Sequence, residues 1–337
     1  MPEPEPTATP APRSLQGPLL AAVSRSFYLS LRFLPRPVRA PLSLSYLLAR
    51  AADTIADVEA SPANARLSLL TAFRHHVEAT PAGRDPVFYT TVSTFAAAVG
   101  HAGERELLLR LPECFAQLDQ LTPTAQMKIR EVLSHILDGM TLDLQRFPDN
   151  TTLRSLASDE ELDTYTWLVA GCVGEFWTAI CASEIPGIFT RPEAEMRALG
   201  GQYGKGLQLI NILRDQPGDA AIGRCYLPRP SLEAAGLTGD LTWPASDWTP
   251  WHLVRQELIA RARVHLAAGW SYAASQRSIR LRFATLMPLL IGGATLTRLQ
   301  ALPPGQAPQA IKVTRPEVKH MARRALWMAF TGRIRPD

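Results

Sequence analysis

Apolar side chains recur every three to four residues along almost the whole chain, in segments broken by Pro, Gly and Asp/Asn. That spacing lines one face of an α-helix, and no sustained alternation of the kind a half-buried strand needs is present. The pattern predicts helices over 16–32, 36–58, 62–79, 86–100, 103–118, 123–146, 159–183, 191–215, 229–236, 249–277, 280–301 and 315–330. Local signals agree. Thr122-Pro123 offers a cap with Pro at the first helical position, Ser158 with Glu161 resembles a capping box, and Pro148-Asp149-Asn150 closes a helix. The expected fold class is all-α.

Residues 1–13 are rich in Pro, carry two Glu and lack an apolar run, so they read as a disordered or polyproline-like tail, not as a signal peptide. The expected organisation is a tail over 1–15, one large helical domain over 16–330 and a basic tail over 331–337. The longest irregular stretch, about 216–250 with Trp243, Trp248 and Trp251, is flanked by apolar helices and reads as an internal loop. No apolar run reaches the roughly 18–20 residues of a membrane span. The nearest, Phe283–Leu296, lies between Arg282 and Arg298 and reads as a buried core helix.

Composition narrows the function classes. With 46% apolar and 20% charged residues, the chain can bury a sizeable core. A formal charge of +4 is too mild for a dedicated nucleic-acid binder, and no nucleic-acid motif is present; it suits an acidic ligand such as a diphosphate, or an anionic membrane surface. Cys114, Cys172, Cys181 and Cys225 form no C-x-x-C and no zinc spacing with His. Cys172 and Cys181 lie in apolar helical surroundings, which predicts free buried thiols and a reducing, cytoplasmic setting.

Two acidic clusters stand out on apolar helices. In SYLLARAADTIADVEA, Tyr46, Arg50, Asp53 and Asp57 fall at i, i+4, i+7 and i+11, within one helical sector. In GKGLQLINILRDQPGDAAIGRCYLP, Gln208, Asn211 and Asp215 share a face. Pro217 predicts that the helix ends or kinks near Asp215–Gln216, with Asp219 on the turn beyond and Arg224 on the following loop. Two carboxylates a turn apart repel each other, and a divalent cation relieves that. Mg²⁺ takes one or two carboxylates, keeps waters and bridges to phosphate. The bland alternative for each cluster is a solvated acidic face or helix end.

With SRSFYLS, YLLARAADTIAD, DTYTWLVAGCVGEF, LQLINILRD and GRCYLP, the chain resembles the squalene/phytoene synthase family of head-to-head prenyl transferases over roughly residues 20–325. The resemblance implies the isoprenoid-synthase fold with a central substrate cavity. It also implies Mg²⁺ on Asp53, Asp57, Asp215 and Asp219, and substrate contacts from Ser24, Arg25, Ser26, Phe27, Val169, Val173, Gly174, Gln208 and Asn211. Tyr165, Arg50, Tyr46 and Tyr272 would serve the chemistry, and Asn211 and Arg224 the metal–diphosphate. AIKVTRPEV resembles the segment in which Lys312 and Arg315 would approach the phosphates of NADPH. Two departures are visible: Ala56 where an acid often precedes the second aspartate, and Gln-Pro-Gly between Asp215 and Asp219.

The function this implies is squalene-synthase chemistry: two farnesyl diphosphates condense through presqualene diphosphate, and NADPH reduces the product to squalene. The alternatives are presqualene diphosphate, dehydrosqualene or phytoene synthesis without reduction, or a non-catalytic relative acting as a binding module. The basic C-terminal segment, with Val318, Met321, Ala322, Leu326, Trp327 and Phe330, predicts an amphipathic helix and peripheral contact with anionic lipid. An ordinary solvated helix is its alternative.

Overall fold

Helices begin where the capping residues allow. The computed structural model describes residues 15–24, 27–58, 60–149, 151–239, 241, 248–304 and 311–336. Arg25, Ser26, Trp243 and the Pro-rich tail up to residue 14 lie outside them. The first half of the chain forms α1 (Leu20–Ser24), α2 (Phe27–Phe33), α3 (Arg36–Asp57), α4 (Ala63–Glu78), α5 (Pro86–Ala96), α6 (Ala102–Leu109), α7 (Leu111–Gln120) and α8 (Pro123–Arg146). Thr122 Oγ1 accepts from the Ala125 N–H at 3.2 Å, which caps α8 as expected. The single helix expected over 103–118 is two helices. Pro112 has no N–H to return to Leu108, so α6 stops at Leu109 and Pro112 takes an early position in α7.

On α3, Leu44, Leu47, Leu48, Ala51, Ala52 and Ile55 are buried against α4, α7 and α8. Each of the large ones contributes about 1.5–3 kcal/mol relative to exposure. That packing fixes the helix rotation and leaves its polar stripe facing the cavity.

The second half contributes β1 (Arg154–Leu156), α9 (Asp159–Thr166), a π-helical turn over Trp167–Gly171, α10 (Cys172–Glu184) and α11 (Glu193–Ala221). It continues through β2 (Arg224–Pro228), α12 (Arg229–Ala234), α13 (Thr249–Ala274), α14 (Ile279–Gln300) and α15 (Arg315–Thr331). The architecture is all-α except for one small parallel pair, in which Arg154 lies opposite Arg224 and Ser155 opposite Cys225. All four cysteines are free and buried.

Pro217 neither ends nor breaks its helix. α11 runs to Ala221 with Pro217 inside it, so Asp219 stands one turn after Asp215 on the same helix. Pro217 deletes one hydrogen bond, while α11 packs on α10, α13 and α14, and that tertiary packing outweighs the local cost. α10 and α11 cross at Gly174 and Gly200, where a Cβ on Gly174 would lie 1.9 Å from the Gly200 carbonyl oxygen. Only glycine permits that approach.

Two helical stretches, Asp159–Glu184 and Ile279–Gln300, are long and apolar enough to cross a bilayer, against expectation. Both are walls of the fold: α9 and α10 pack on α11 and α8, and α14 lies among α13, α15, α11 and α2.

Candidate active site

A cavity of about 640 Å³ is lined by residues of α2, α3, α8, α9, α10, α11 and β2 together with the π turn. Its polarity changes along each long wall. On α3 the lining runs from Leu42 through Tyr46 to Arg50, Asp53 and Asp57. On α8 it runs from Val132 and Ile136 through Met140 to Asp143. The stretch from α9 to α10 runs the opposite way, from Tyr165 through Val169 and Val173 to Phe176 and Trp177. At 1.5 Å per residue the α3 wall alone is about 20 Å long. One end is therefore charged and the other apolar, and Phe27 of α2 closes the apolar end against Trp177 and Tyr46 at 6.2 and 5.6 Å between ring centroids.

The charged end gathers both aspartate pairs. Arg50 Nη1 meets Asp53 Oδ2 at 2.6 Å, and Arg50 Nη2 meets Glu104 of α6. On α11, Asn211 Nδ2 donates to Gln208 Oε1 at 3.3 Å, and Arg214 holds Asp215 with Nε at 2.8 Å from Oδ1. Below them, Arg224 Nη1 lies 2.9 Å from Asp143 Oδ2, and the Tyr226 hydroxyl donates to Asp143 Oδ1 at 2.5 Å. The Tyr165 ring stacks on Tyr226 with centroids 4.9 Å apart. Parallel pairing of β2 with β1 is what carries Arg224 and Tyr226 to this position.

The electrostatics follow from crowding. Enclosure by protein, and then the charge of Asp57, raise Asp53 to about 7. Enclosure, and then Asp215, raise Asp219 to about 7. Asp57 is also raised by enclosure, although Arg224 and Arg50 pull it back. Burial lifts Tyr165 well above the ordinary phenol value, with Asp143 adding to it, so at neutral pH its hydroxyl keeps its proton.

Four carboxylates facing one space, with their repulsion only partly offset by Arg50, Arg214 and Arg224, fit hydrated divalent cations. Among the described residues no three His, Cys, Asp or Glu side chains converge to hold a metal by themselves. A cation here would need diphosphate oxygens and waters to complete its shell, as Mg²⁺ prefers.

Of the expected site residues, Phe27, Tyr46, Arg50, Asp53, Asp57, Tyr165, Val169, Val173, Gln208, Asn211, Asp215, Asp219 and Arg224 all line this cavity. Five others do not. Ser24 is buried, and its hydroxyl donates to the Leu20 carbonyl of its own helix. Gly174 serves the α10–α11 crossing. Tyr272 is buried with its hydroxyl 2.7 Å from Thr178 Oγ1, which ties α13 to α10. Lys312 and Arg315 are exposed at the start of α15, and the Lys312 carbonyl accepts from Arg298 at 2.6 Å.

Asp143, Glu104, Arg214 and Tyr226 belong to the charged end and were missed from the sequence. Asp143 carried a readable signal, since Val132, Ile136, Met140 and Asp143 make one stripe in which it is the lone acid. Glu104 carried none, because its partner Arg50 lies 54 residues away in sequence.

A sequence profile of the squalene/phytoene synthase family matches residues 20–317. A presqualene diphosphate synthase of Zymomonas mobilis is 30% identical over 318 residues, 93% of this chain and 90% of that protein. A presqualene diphosphate synthase of Rhodopseudomonas palustris is 33% identical over 265 residues, 77% of each chain. Among solved structures, a ligand complex of TcSQS superposes with a TM-score of 0.71 at 24% identity, covering 93% of this chain and 87% of that one, which speaks to the fold.

Proposed function

Since the chain belongs to the squalene/phytoene synthase family, we propose that it condenses two farnesyl diphosphates head-to-head and releases presqualene diphosphate without reducing it. One observation carries this reading: both aspartate pairs sit at one end of a cavity whose other end is apolar and aromatic. That is the shape of an allylic diphosphate, with an anionic head and a long apolar tail. The names of the two bacterial relatives support a non-reductive product over squalene.

Mg²⁺ held by Asp53, Asp57, Asp215 and Asp219 would neutralise the charge that builds on departing pyrophosphate. Arg50, Arg214 and Arg224 orient the diphosphate with paired N–H donors. Gln208 and Asn211 offer amide hydrogen bonds to its oxygens or to metal-bound water. The apolar end keeps water from the allylic cation. The faces of Phe27, Tyr46 and Trp177 stabilise that cation, by about 2 kcal/mol for a desolvated contact. Tyr165, held as a phenol, can accept the proton lost on ring closure only as it passes its own to a neighbouring oxygen, such as one of pyrophosphate. Four free buried thiols are consistent with work in the reducing cytoplasm.

The test is incubation of the purified protein with farnesyl diphosphate and Mg²⁺, with and without NADPH, followed by mass spectrometry of the products. Presqualene diphosphate in both arms is expected. Squalene in the NADPH arm would return the assignment to the reductive enzyme. No turnover of farnesyl or geranylgeranyl diphosphate would favour a binding module.

A further inference from the structure

One charged side chain in the interior takes no part in the cavity. Arg255 of α13 is buried, at 0% exposure, and its Nε, Nη1 and Nη2 have no hydrogen-bond partner among the described residues. It lies within about 20° of Leu266 around α13, so it shares the face that meets α11. A Cβ on Gly269 would lie 2.7 Å from Tyr203 Cδ2, and one on Gly206 would lie 2.8 Å from the Leu266 backbone nitrogen. The two helices therefore run antiparallel, and the same register carried about ten residues further sets Gln216 of α11 level with Arg255. Gln216 is 6% exposed, and neither its Nε2 nor its Oε1 has a partner among the described residues.

No carboxylate among the described residues compensates this guanidinium. Glu257 of α13 is exposed, Glu233 of α12 is held by Arg229, and Asp215 and Asp219 line the cavity. Burial lowers Arg255 with no acid to oppose it, and burial and then Arg255 lower His252. A bare ion in a dry interior is costly, and many buried groups escape by giving up their charge. A guanidinium cannot do so. A negative charge has to meet it.

We infer that Arg255 and Gln216 hold a small monovalent anion, of the size and charge of chloride, in the seam between α11 and α13. One negative charge matches one guanidinium, and the Gln216 amide adds a donor from the facing helix. Arg255 and Gln216 have almost no face to water, which leaves no room for a phosphate or sulfate and encloses the anion as the two helices close. Bound there, it ties to α13 the stretch of α11 that carries Asp215 and Asp219. The inference rests on the α11–α13 seam and not on the proposed reaction.

Thermal melts in two salts test it. The full chain, refolded from urea into sodium chloride or sodium gluconate at equal ionic strength, should melt about 2 °C or more higher in chloride. Magnesium gluconate and pyrophosphate in both arms keep the arginines of the cavity occupied. Arg255→Met removes the charge and should abolish the difference between the salts, whatever it does to the absolute Tm. If Arg255→Met fails to fold, Gln216→Leu should still shrink the difference. Crystals of the wild type grown in sodium bromide should show an anomalous-scattering peak beside the Arg255 guanidinium. Equal melting of the wild type in the two salts, or a chloride effect that survives Arg255→Met, would overturn the inference. So would bromide crystals with no peak at Arg255, or with a carboxylate of the chain itself in that place.

Discussion

On α3, Asp53 is met by Arg50 one turn earlier, and Arg50 is itself held by Glu104 from α6. On α11, Asp215 is met by Arg214, its neighbour in sequence, and Asp219 follows beyond a proline. The spacing of the two pairs is the same and so is the crowding, since Asp53 and Asp219 are both raised to about 7. Their support differs. The first pair depends on a contact across the fold through Arg50, the second has an arginine beside it on its own helix, and Arg224, which Asp143 holds from α8, offsets both Asp57 and Asp219. An acidic site built this way rests on two separate tertiary contacts, Arg50 with Glu104 and Arg224 with Asp143.

The largest effect should come from removing one carboxylate of either pair. Asp53→Asn and Asp219→Asn should each lower kcat by about a thousandfold while the protein stays folded, as expected for groups that stabilise leaving-group charge. Steady-state kinetics with farnesyl diphosphate would show it. A loss confined to one of the two would break the symmetry of the comparison.

Next come the supports. Asp143→Asn should cut turnover by about ten- to a hundredfold, because it loosens Arg224 and Tyr226 together. Glu104→Gln should cost less, about tenfold, and mainly as a higher Mg²⁺ requirement, because Arg50 would then turn its full charge on Asp53. Equal losses in the two variants would mean that the pairs are not supported differently after all.

A smaller effect follows from pH. The carboxyls of Asp53 and Asp219 rise from an ordinary 3.8 to about 7 on folding. Between those values the metal-free folded chain binds more protons than the unfolded chain, so stability falls as pH rises through the window. Mg²⁺ with pyrophosphate relieves the repulsion. Its gain in Tm should therefore be a few degrees larger near about pH 8 than near about pH 5.5 in a thermal melt. A larger gain at the acidic end would contradict the raised carboxyls of Asp53 and Asp219.

The smallest effect tests the proline. Pro217→Ala restores a hydrogen bond within α11 and should raise Tm by a degree or two with turnover nearly unchanged. A marked fall in turnover would mean that Pro217 sets the position of Asp219.

Periodicity was enough to read most of the helices, and α8 falls on its expected bounds of 123–146. The polar stripe of α3 was legible because Tyr46, Arg50, Asp53 and Asp57 are the exceptions on an apolar helix, and exceptions at helical spacing need no tertiary knowledge. Pro217 predicts by its local preference an end or kink, and α11 nevertheless runs to Ala221. Tyr272 and Gly174, expected to serve the site on resemblance, lie at the α10–α13 and α10–α11 contacts.

What the sequence by itself determined was the set of helices and which of them carry carboxylates, because both follow from contacts within a turn or two of chain. The tertiary structure alone decided that the two pairs share one cavity, that Glu104 and Asp143 hold their arginines, and that Lys312 and Arg315 stay outside. Those outcomes depend on how buried faces rotate and cross, and that is settled only when every helix is packed against the others.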